Sequence, residues 1–550
     1  MRDPRAILTT LSMTAAPGPS GRLLCGTVLS GLLTAALPAA ALAGKPLPNP
    51  VGRYPAATLP TDEPDNVPHT LAETLGIAYE TNPQLTGERA HLRATDEDVP
   101  AALAGWRPTV TVQAAWGSAV GRFDEPGQCG APSFSLSGEI PPPGQYQGAC
   151  YTNGKVPPNT ISSKTYNAAG EYTVSQLDNR TLHSETATIT QYLYRGGHTT
   201  SSTHQAVNNV YAERARLIAE EETVFSDTIN AYVTFIEDQQ LLNLDRQNEQ
   251  VLGDELRAVN DQFRVGELTR TDVAQAEAAL AQAIAVRQTA EGTLETARAT
   301  FVRQVGVTPP ADLADPQPLR LPVRSEKEAS DLAARNNPNV IAGLFNEAQA
   351  KDAIDIAFSN LGPQIYVQGQ GFQQDGETIR GDDTYGVMAT INLTMPLYQG
   401  GSEYAAIRQA RQTYQQAVRE TEDARRSARE LAVQAWDTLE AARASTISSR
   451  IAVRSAEIAV EGTEREALVG SATVQEVLIQ QQNLLSAQIT LVQNITSIVT
   501  ASYGVASAIG RLTAKDLGLA VPLYDETAYY NAVRDRLWGT GDYAVHQPGR

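Results

Sequence analysis

The chain has 550 residues, with 43 Lys plus Arg against 62 Asp plus Glu and a formal net charge of −19. That balance excludes the usual nucleic-acid binder, which needs cationic surface to meet phosphate. Three cysteines exclude a disulfide-dense scaffold, and 6% aromatic content beside abundant Ala, Gln, Thr and Glu suits long helices better than a globular core. Beyond the N-terminus no run of about eighteen apolar residues is evident, so no helical membrane span is expected. β-barrel strands escape that criterion, because they alternate and barely move an average hydropathy.

The chain opens on an address. Leu23 to Ala43 is mostly apolar, follows Arg22, and ends Ala41-Leu42-Ala43, the small-x-small pattern a signal peptidase accepts. The alternative is a membrane anchor; the Ala-rich end and the following Gly-Lys-Pro favour a removed signal over residues 1–43, with Met13 as a second possible start. Cys25 does not read as a lipidation site, since Leu24 precedes it and apolar residues continue after it. Removing the signal leaves Cys129 and Cys150 and a charge of about −21.

Motifs then recur in order. Asn82-Pro83 returns as Asn337-Pro338 and Pro108 as Pro363, both 255 residues on. Tyr194-Arg-Gly-Gly197 returns as Tyr398-Gln-Gly-Gly401 and Val265-Gly266 as Val469-Gly470, both 204 on. Asp272-Val273 likewise answers Glu476-Val477. The offsets differ by 51, so the first copy carries an insertion between Pro108 and Tyr194, and both remaining cysteines lie in it. This predicts an extended segment over 44–67, a first repeat over 68–307, a Pro-rich linker over 308–325, a second repeat over 326–515 and a tail over 516–550.

Each repeat reads alike. A leading helix is expected at about 69–105 and 326–360, then two alternating segments, then a helix at about 198–263 and 402–467, then, after the Val-Gly turn, a closing helix at about 271–305 and 474–512. No proline lies between Thr199 and Phe263, or between Ser402 and Leu517. A 65-residue helix spans about 98 Å at roughly 1.5 Å per residue, a length that suits lateral packing with other long helices. Val110, Val112, Ala114 and Trp116 alternate with Thr109, Thr111 and Gln113; Val387, Ala389, Ile391, Leu393 and Met395 alternate with Met388, Thr390, Asn392 and Thr394. Ala187-Ile189 and Ile365-Val367 alternate more weakly, and the segments fit tilted membrane strands of about 9–12 residues. Four strands cannot close a barrel alone, so either several chains share one barrel or the strands form a soluble sheet. The tail is expected to be irregular, with a short helix near Tyr529 to Leu537.

With its signal peptide, paired Asn-Pro, paired aromatic-x-Gly-Gly and paired Val-Gly-x5-[Asp/Glu]-Val, the sequence resembles the TolC family of outer-membrane exit ducts over about residues 68–515. The resemblance implies a mainly α fold with a β-barrel portion. In it, a homotrimer contributes four strands per chain to a twelve-stranded outer-membrane barrel, continuous with a periplasmic α-helical tunnel. It implies a tripartite export system with a periplasmic adaptor and an inner-membrane transporter, passing proteins by type I secretion, small toxic molecules, or both. The missing lipid-attachment pattern favours the non-acylated secretion branch. The insertion at 117–185 would be an extracellular loop, and there Cys129 and Cys150 would form a disulfide; the alternative is two free thiols. The competing reading is a periplasmic or surface coiled-coil adhesin without a pore, which would lack the doubled strand pairs.

No constellation supports an enzyme, a metal or a cofactor. The six histidines lack helical His-x3-His spacing, Gly369-x-Gly371 precedes no helix, and no Gly-x-Ser-x-Gly occurs. The hairpin turns Gly266 and Gly470 are the informative positions. By the resemblance, Glu476 matches the first acidic position of a pore constriction, whereas the second is Ile479, so at most one acidic ring remains. The competing reading is that Glu476 caps its helix. Arg270 and Asp272 would lie on the outer hairpin, at closed-state contacts or against the adaptor, and Ala467 and Ala472 replace the family's aromatic and arginine lock.

Overall fold

The computed structural model describes residues 68–126, 161–166, 172–375, 383–541 and 543. The expected signal peptide, the 44–67 segment, Cys129 and Cys150 lie outside the described residues. The described part belongs to one unit, Asp62–Arg550.

Each expected leading helix is broken at its Asn-Pro. The first consists of α1 (Leu71–Thr81), α2 (Pro83–Asp96), α3 (Asp98–Leu103) and a 3-10 turn, Ala104–Trp106; the second half has α6 (Glu326–Asn336) and α7 (Pro338–Ser359). The residue before proline is driven out of the helical region, and Asn82 and Asn337 take ψ of 124° and 129°. Each then acts twice. Asn82 Oδ1 accepts from Gln84 N at 2.9 Å and its Nδ2 donates to the Gln304 carbonyl at 3.0 Å; Asn337 does the same with Asn339 N (3.0 Å) and the Ala508 carbonyl (3.3 Å). Asn-Pro therefore starts one helix and ties down the end of the closing helix in its own half.

Between them run α4 (His198–Val265, 68 residues) with α5 (Arg270–Val305), and later α8 (Ser402–Leu468, 67 residues) with α9 (Val474–Ala508). The long pair matches the helices expected at 198–263 and 402–467, and each extends about 100 Å at 1.5 Å per residue. Gly197 and Gly401 start them at φ of +89° and +87°. The need for glycine is most acute one residue earlier: at Gly196 (φ +61°) a Cβ would lie 2.5 Å from the Ser359 carbonyl oxygen, where α7 turns into the sheet.

The main core lies where α1, α2, α4, α5 and α9 meet. Phe225, Ile229, Tyr232, Phe235 and Phe301 are fully enclosed there, and Phe301 faces Tyr232 and Phe235 at 6.4 and 6.1 Å. The Pro-rich linker closes one side: Tyr232 OH donates to the Ala314 carbonyl at 2.6 Å, and Leu319 N to Ser502 Oγ at 2.9 Å. A second core, on α6, α8 and α9, is built largely from alanine, with Ala329, Ala333, Ala428 and Ala432 around Leu439. The segment after α9 is fastened to α4 by two acids, one half-buried and one buried: Glu221 accepts from Ala514 N at 2.6 Å and Glu222 from Leu512 N at 3.2 Å. Burial raises both carboxyls, Glu222 to about 8.

The strands are β1 (Thr109–Pro126), β2 (Ile161–Tyr166), β3 (Tyr172–Arg195), β4 (Gln364–Asp375) and β5 (Asp383–Thr394). They form one antiparallel sheet in the order β1-β3-β4-β5, with β2 paired to the far end of β3. The expected loop over 117–185 is therefore partly strand. Pairing of β1 with β3 continues to Pro126 and Thr173, well past the apolar alternation that marks the sequence. α9 also differs from expectation, since by length and composition it holds a window apolar enough to cross a membrane. Its polar side chains are instead spent on neighbouring helices: Thr496 Oγ1 donates to Glu237 Oε2 at 2.9 Å, and Asn494 Nδ2 to Ser449 Oγ at 2.6 Å. The tail holds a short helix, α10 (Ala528–Val533), shorter than expected.

Candidate functional site

Two regions carry the chemistry of this fold, the sheet and the hairpin tips at its opposite end. Directly opposed residues of an antiparallel pair share a face, so the register assigns both faces of the sheet. One rank reads Val112–Ala187–Gly371–Val387, the next Val110–Ile189–Gly369–Ala389, and a third Gln191–Val367–Ile391. The other face reads Thr109–Thr190–Gln368–Thr390 and Thr111–Thr188–Gln370–Met388. The apolar face is uncovered: Val387 is 90% exposed, Ile391 76% and Val110 65%. From Tyr385 to Leu393 the stripe measures about 27 Å at roughly 3.4 Å per residue, close to the apolar band of outer-membrane barrels, about 25 Å. Trp116 and Tyr385 mark its far end and Tyr194 and Tyr398 its near end, all exposed aromatics of the kind that sit at a membrane–water boundary.

At the tips, α4 ends at Gly266 (φ +84°), whose N–H donates to the Phe263 carbonyl while Glu267 N donates to the Gln262 carbonyl, both at 3.0 Å. Gly470 (φ +75°) reverses the other hairpin, with its N–H on the Ala467 carbonyl at 3.0 Å. Each reversal leads into a capping box with the Thr-x-x-[Asp/Glu] signal; the sequence reading weighed capping at Glu476 and overlooked it at Asp272. Thr269 N donates to Asp272 Oδ2 at 2.9 Å and Asp272 N to Thr269 Oγ1 at 3.4 Å. Thr473 N donates to Glu476 Oε2 at 2.7 Å and Glu476 N to Thr473 Oγ1 at 3.3 Å. The hydroxyl and amide hydrogen bonds from Thr269 hold the Asp272 carboxyl below its usual range. Glu476 thus does cap its helix. It is also exposed, as are Arg270 and Ile479, whereas Asp272 is half-buried.

An apolar cluster joins the two tips. Val259 and Leu256 of α4, Leu268, Val273 and Ala276 of the outer hairpin, and Val474 and Leu478 of α9 pack together. Just above, burial and the charge of Glu464 on α8 raise the carboxyl of Glu255 on α4, a like-charge contact between the two hairpins. Among the described residues one group has metal-ligating atoms in mutual reach, Glu88, His91 and Glu213. Its own side chains already occupy it: Glu213 lies 2.5 Å from His91 Nδ1 and accepts from Arg216 Nη1 at 2.8 Å, a staple of α2 on α4 rather than an open site. The cleft of about 480 Å³ lies between α4, α7 and the segment after α9, lined by Tyr211, Arg214, Phe345 and Lys515; two smaller ones, of about 340 and 280 Å³, are grooves along α4 and α5, the first lined by Asp238, Asp245 and Val286.

The family model described as outer membrane efflux protein matches residues 74–307 and 329–511. The chain belongs to this family, the TolC-type outer-membrane channels. It is 30% identical over 473 residues to the outer membrane efflux protein BepC of Brucella suis, covering 86% of this chain and 91% of that protein. It is 25% identical to the outer membrane protein TolC of Vibrio cholerae over 52% of this chain and 67% of that one. The fold matches VceC from Vibrio cholerae (TM-score 0.62, 18% identity, 80% of this chain and 96% of that one) and the Campylobacter jejuni CmeC channel (0.61, 15%, 80% and 85%). The efflux family is located in the outer membrane with its tunnel in the periplasm, and its members are conduits rather than enzymes. The doubled strand pairs and the family match dispose of the adhesin reading.

Proposed function

We propose that three copies of this chain close one twelve-stranded barrel in the outer membrane above a shared α-helical tunnel, and that the two halves of the chain are an internal repeat. The observation that carries this reading is the sheet: its apolar face is uncovered and, among the described residues, its edge strands β1 and β5 have no second partner. Open edges do not persist in lipid, so each β5 meets the β1 of a neighbouring copy. An exposed stripe on α8, Ile447, Ile451 and Ile458, supports lateral contact between copies along the tunnel. The polar strand face then lines water.

In this reading the periplasmic mouth is formed by the tips at Gly266 and Gly470. Three Glu476 side chains ring the constriction with Ile479 one turn on, and concentrate cations there. Arg270 and Asp272, on the outer tip, meet the periplasmic adaptor that links the duct to an inner-membrane transporter. The cargo is protein (type I secretion), small toxic molecules, or both. The test is semi-native electrophoresis of the purified outer-membrane protein, followed by conductance in planar bilayers. A heat-dissociable trimer that conducts supports the reading; a monomer, or a trimer without conductance, refutes it. Deletion, scored for a lost secreted protein and for drug sensitivity, separates the two cargo classes.

A further inference from the structure

The C-terminal tail climbs the molecule toward the sheet. Tyr524 N donates to Tyr79 OH on α1 at 3.0 Å, Tyr529 OH to Glu97 at the end of α2 at 2.8 Å, and Arg107 Nη1, two residues before β1, to the Arg536 carbonyl at 2.6 Å. Val533 is buried on the way, at 1% exposure. The next residues reverse that behaviour: Leu537 is 68% exposed and Trp538 86%. The tail is pinned at these points and at Val533, so a leucine and a tryptophan held out directly after the last of them stand out as large apolar groups without cover.

The level at which they emerge is fixed by hydrogen bonds. Gln191 Nε2 donates to the Trp106 carbonyl at 2.9 Å. Gln191 stands opposite Val367, which stands opposite Ile391, in the lower part of the exposed apolar face. Arg107 follows Trp106 directly and holds Arg536. Leu537 and Trp538 therefore follow directly on a residue tied to Arg107, two residues before the base of β1. Trp106 is itself 47% exposed, and the cationic side chains of Arg534 and Arg536 are exposed beside the pair. Tryptophan with an adjacent leucine and arginines is suited to the layer where acyl chains meet phosphate headgroups.

We propose that Leu537-Trp538 is a lipid anchor, seated in the periplasmic leaflet of the outer membrane beside the base of the strands. Phospholipid is the occupant because Arg107 and Trp106 tie the tail to the base of β1 and to Gln191, where the exposed apolar side of the sheet begins. The proposal rests on the outer-membrane placement and not on the trimer. A rival occupant is the far sheet edge of a second copy, where Leu397 and Tyr398 are exposed.

The four tryptophans, Trp106, Trp116, Trp436 and Trp538, make the test direct. Full-length chains keeping one tryptophan each, with phenylalanine at the others, are reconstituted into phosphatidylcholine vesicles with and without bromine on the upper acyl chain. Trp116 is the control for the strand face in lipid. Trp436, on α8 about 50 Å from its start at 1.5 Å per residue, is the control outside it. The Trp538 chain should lose at least a third of its emission in brominated vesicles, as the Trp116 chain does, while the Trp436 chain stays constant. In the otherwise unaltered chain, Trp538→Phe alone should lower the lipid-quenchable emission. Emission from Trp538 that ignores bromine while Trp116 responds overturns the anchor; if it then shifts with Tyr398→Ala, the second copy is the occupant. A Trp116 chain that ignores bromine would instead count against the membrane placement itself.

Discussion

Glu222→Gln should stabilise this protein, and more so as pH rises. The Glu222 side chain is 5% exposed and accepts the Leu512 N–H at 3.2 Å. Burial lifts its pKa from 4.5 to about 8; the Leu512 bond opposes the rise, and the nearby Glu221 and Asp516 charges add to it. A carboxyl raised in the folded state binds more protons there than in the unfolded chain between those two values, so stability falls as pH climbs from 4.5 to 8. At about 1.4 kcal/mol per pH unit, the cost reaches about 3 kcal/mol at pH 7 as an upper bound, since local relaxation reduces it. Glutamine keeps a carbonyl for Leu512 N–H and carries no charge, so the variant avoids the cost. By the usual entropy of unfolding for a chain this long, that is a rise of about 3 °C in Tm at pH 7. Thermal melts of the detergent-solubilised protein from pH 4.5 to 8.5 should give curves for parent and variant that meet at the acid end and diverge above it. Glu222→Ala, which strands the buried Leu512 N–H but also escapes the ionisation cost, should lie about 1–3 kcal/mol below Glu222→Gln across the range. Parallel pH curves for parent and Glu222→Gln would refute the reasoning.

Other perturbations follow from the same geometry. Glu476→Gln should lower cation preference a few-fold, read as a reversal potential moving toward zero in a salt gradient across a planar bilayer; an unchanged potential counts against the acidic ring. Gly266→Ala and Gly470→Ala meet no atoms within 4 Å and should cost only the left-handed backbone, about 1–2 kcal/mol each in thermal melts. Gly196→Ala, with its Cβ 2.5 Å from a backbone oxygen, should cost several kcal/mol and sharply reduce the yield of folded protein. Intact mass with and without reductant should differ by two daltons if Cys129 and Cys150 are bonded, and no difference would dismiss the disulfide.

The parts of this fold that sequence revealed are those with a strong local cause. Both long helices fall within two residues of their expected spans, 198–263 and 402–467, because no proline in 198–265 or 402–468 interrupts them. Asn82-Pro83 was conspicuous as a repeated motif, yet its local effect, ending one helix and capping another, was overlooked in reading the leading helix as continuous. The strands beyond Trp116 and before His183 were hidden for a different reason. Their pairing is set by each other rather than by burial of an apolar face, so no hydrophobic alternation announces them. The apolar window of α9 was masked by its glutamines and asparagines, the same residues that let it pack between helices. The tail was legible as irregular, but its route past Tyr79, Glu97 and Arg107 depends on contacts more than 400 residues apart in sequence.

The hairpin tips show why the two readings of Glu476 need not compete. A capping box consumes one carboxylate oxygen on the N–H of the residue that opens the turn, here Glu476 Oε2 on Thr473 N. The side chain is thereby held in one place without being buried, and its negative charge stays at the solvent-facing end of α9, where the helix dipole favours it. A free glutamate would spread its charge over many rotamers; a capped one offers a fixed charge at the tip. The outer tip makes the same box with Asp272, so capping alone does not distinguish the two positions. What differs is chain length beyond the cap: glutamate reaches one methylene farther than aspartate, and Glu476 is exposed where Asp272 is half-buried. If a ring forms, it belongs to the tip whose acid still projects after capping. Gln at 476 preserves the box and removes only the charge, whereas Ala removes both, so the gap between those two variants measures what the cap contributes to holding the mouth.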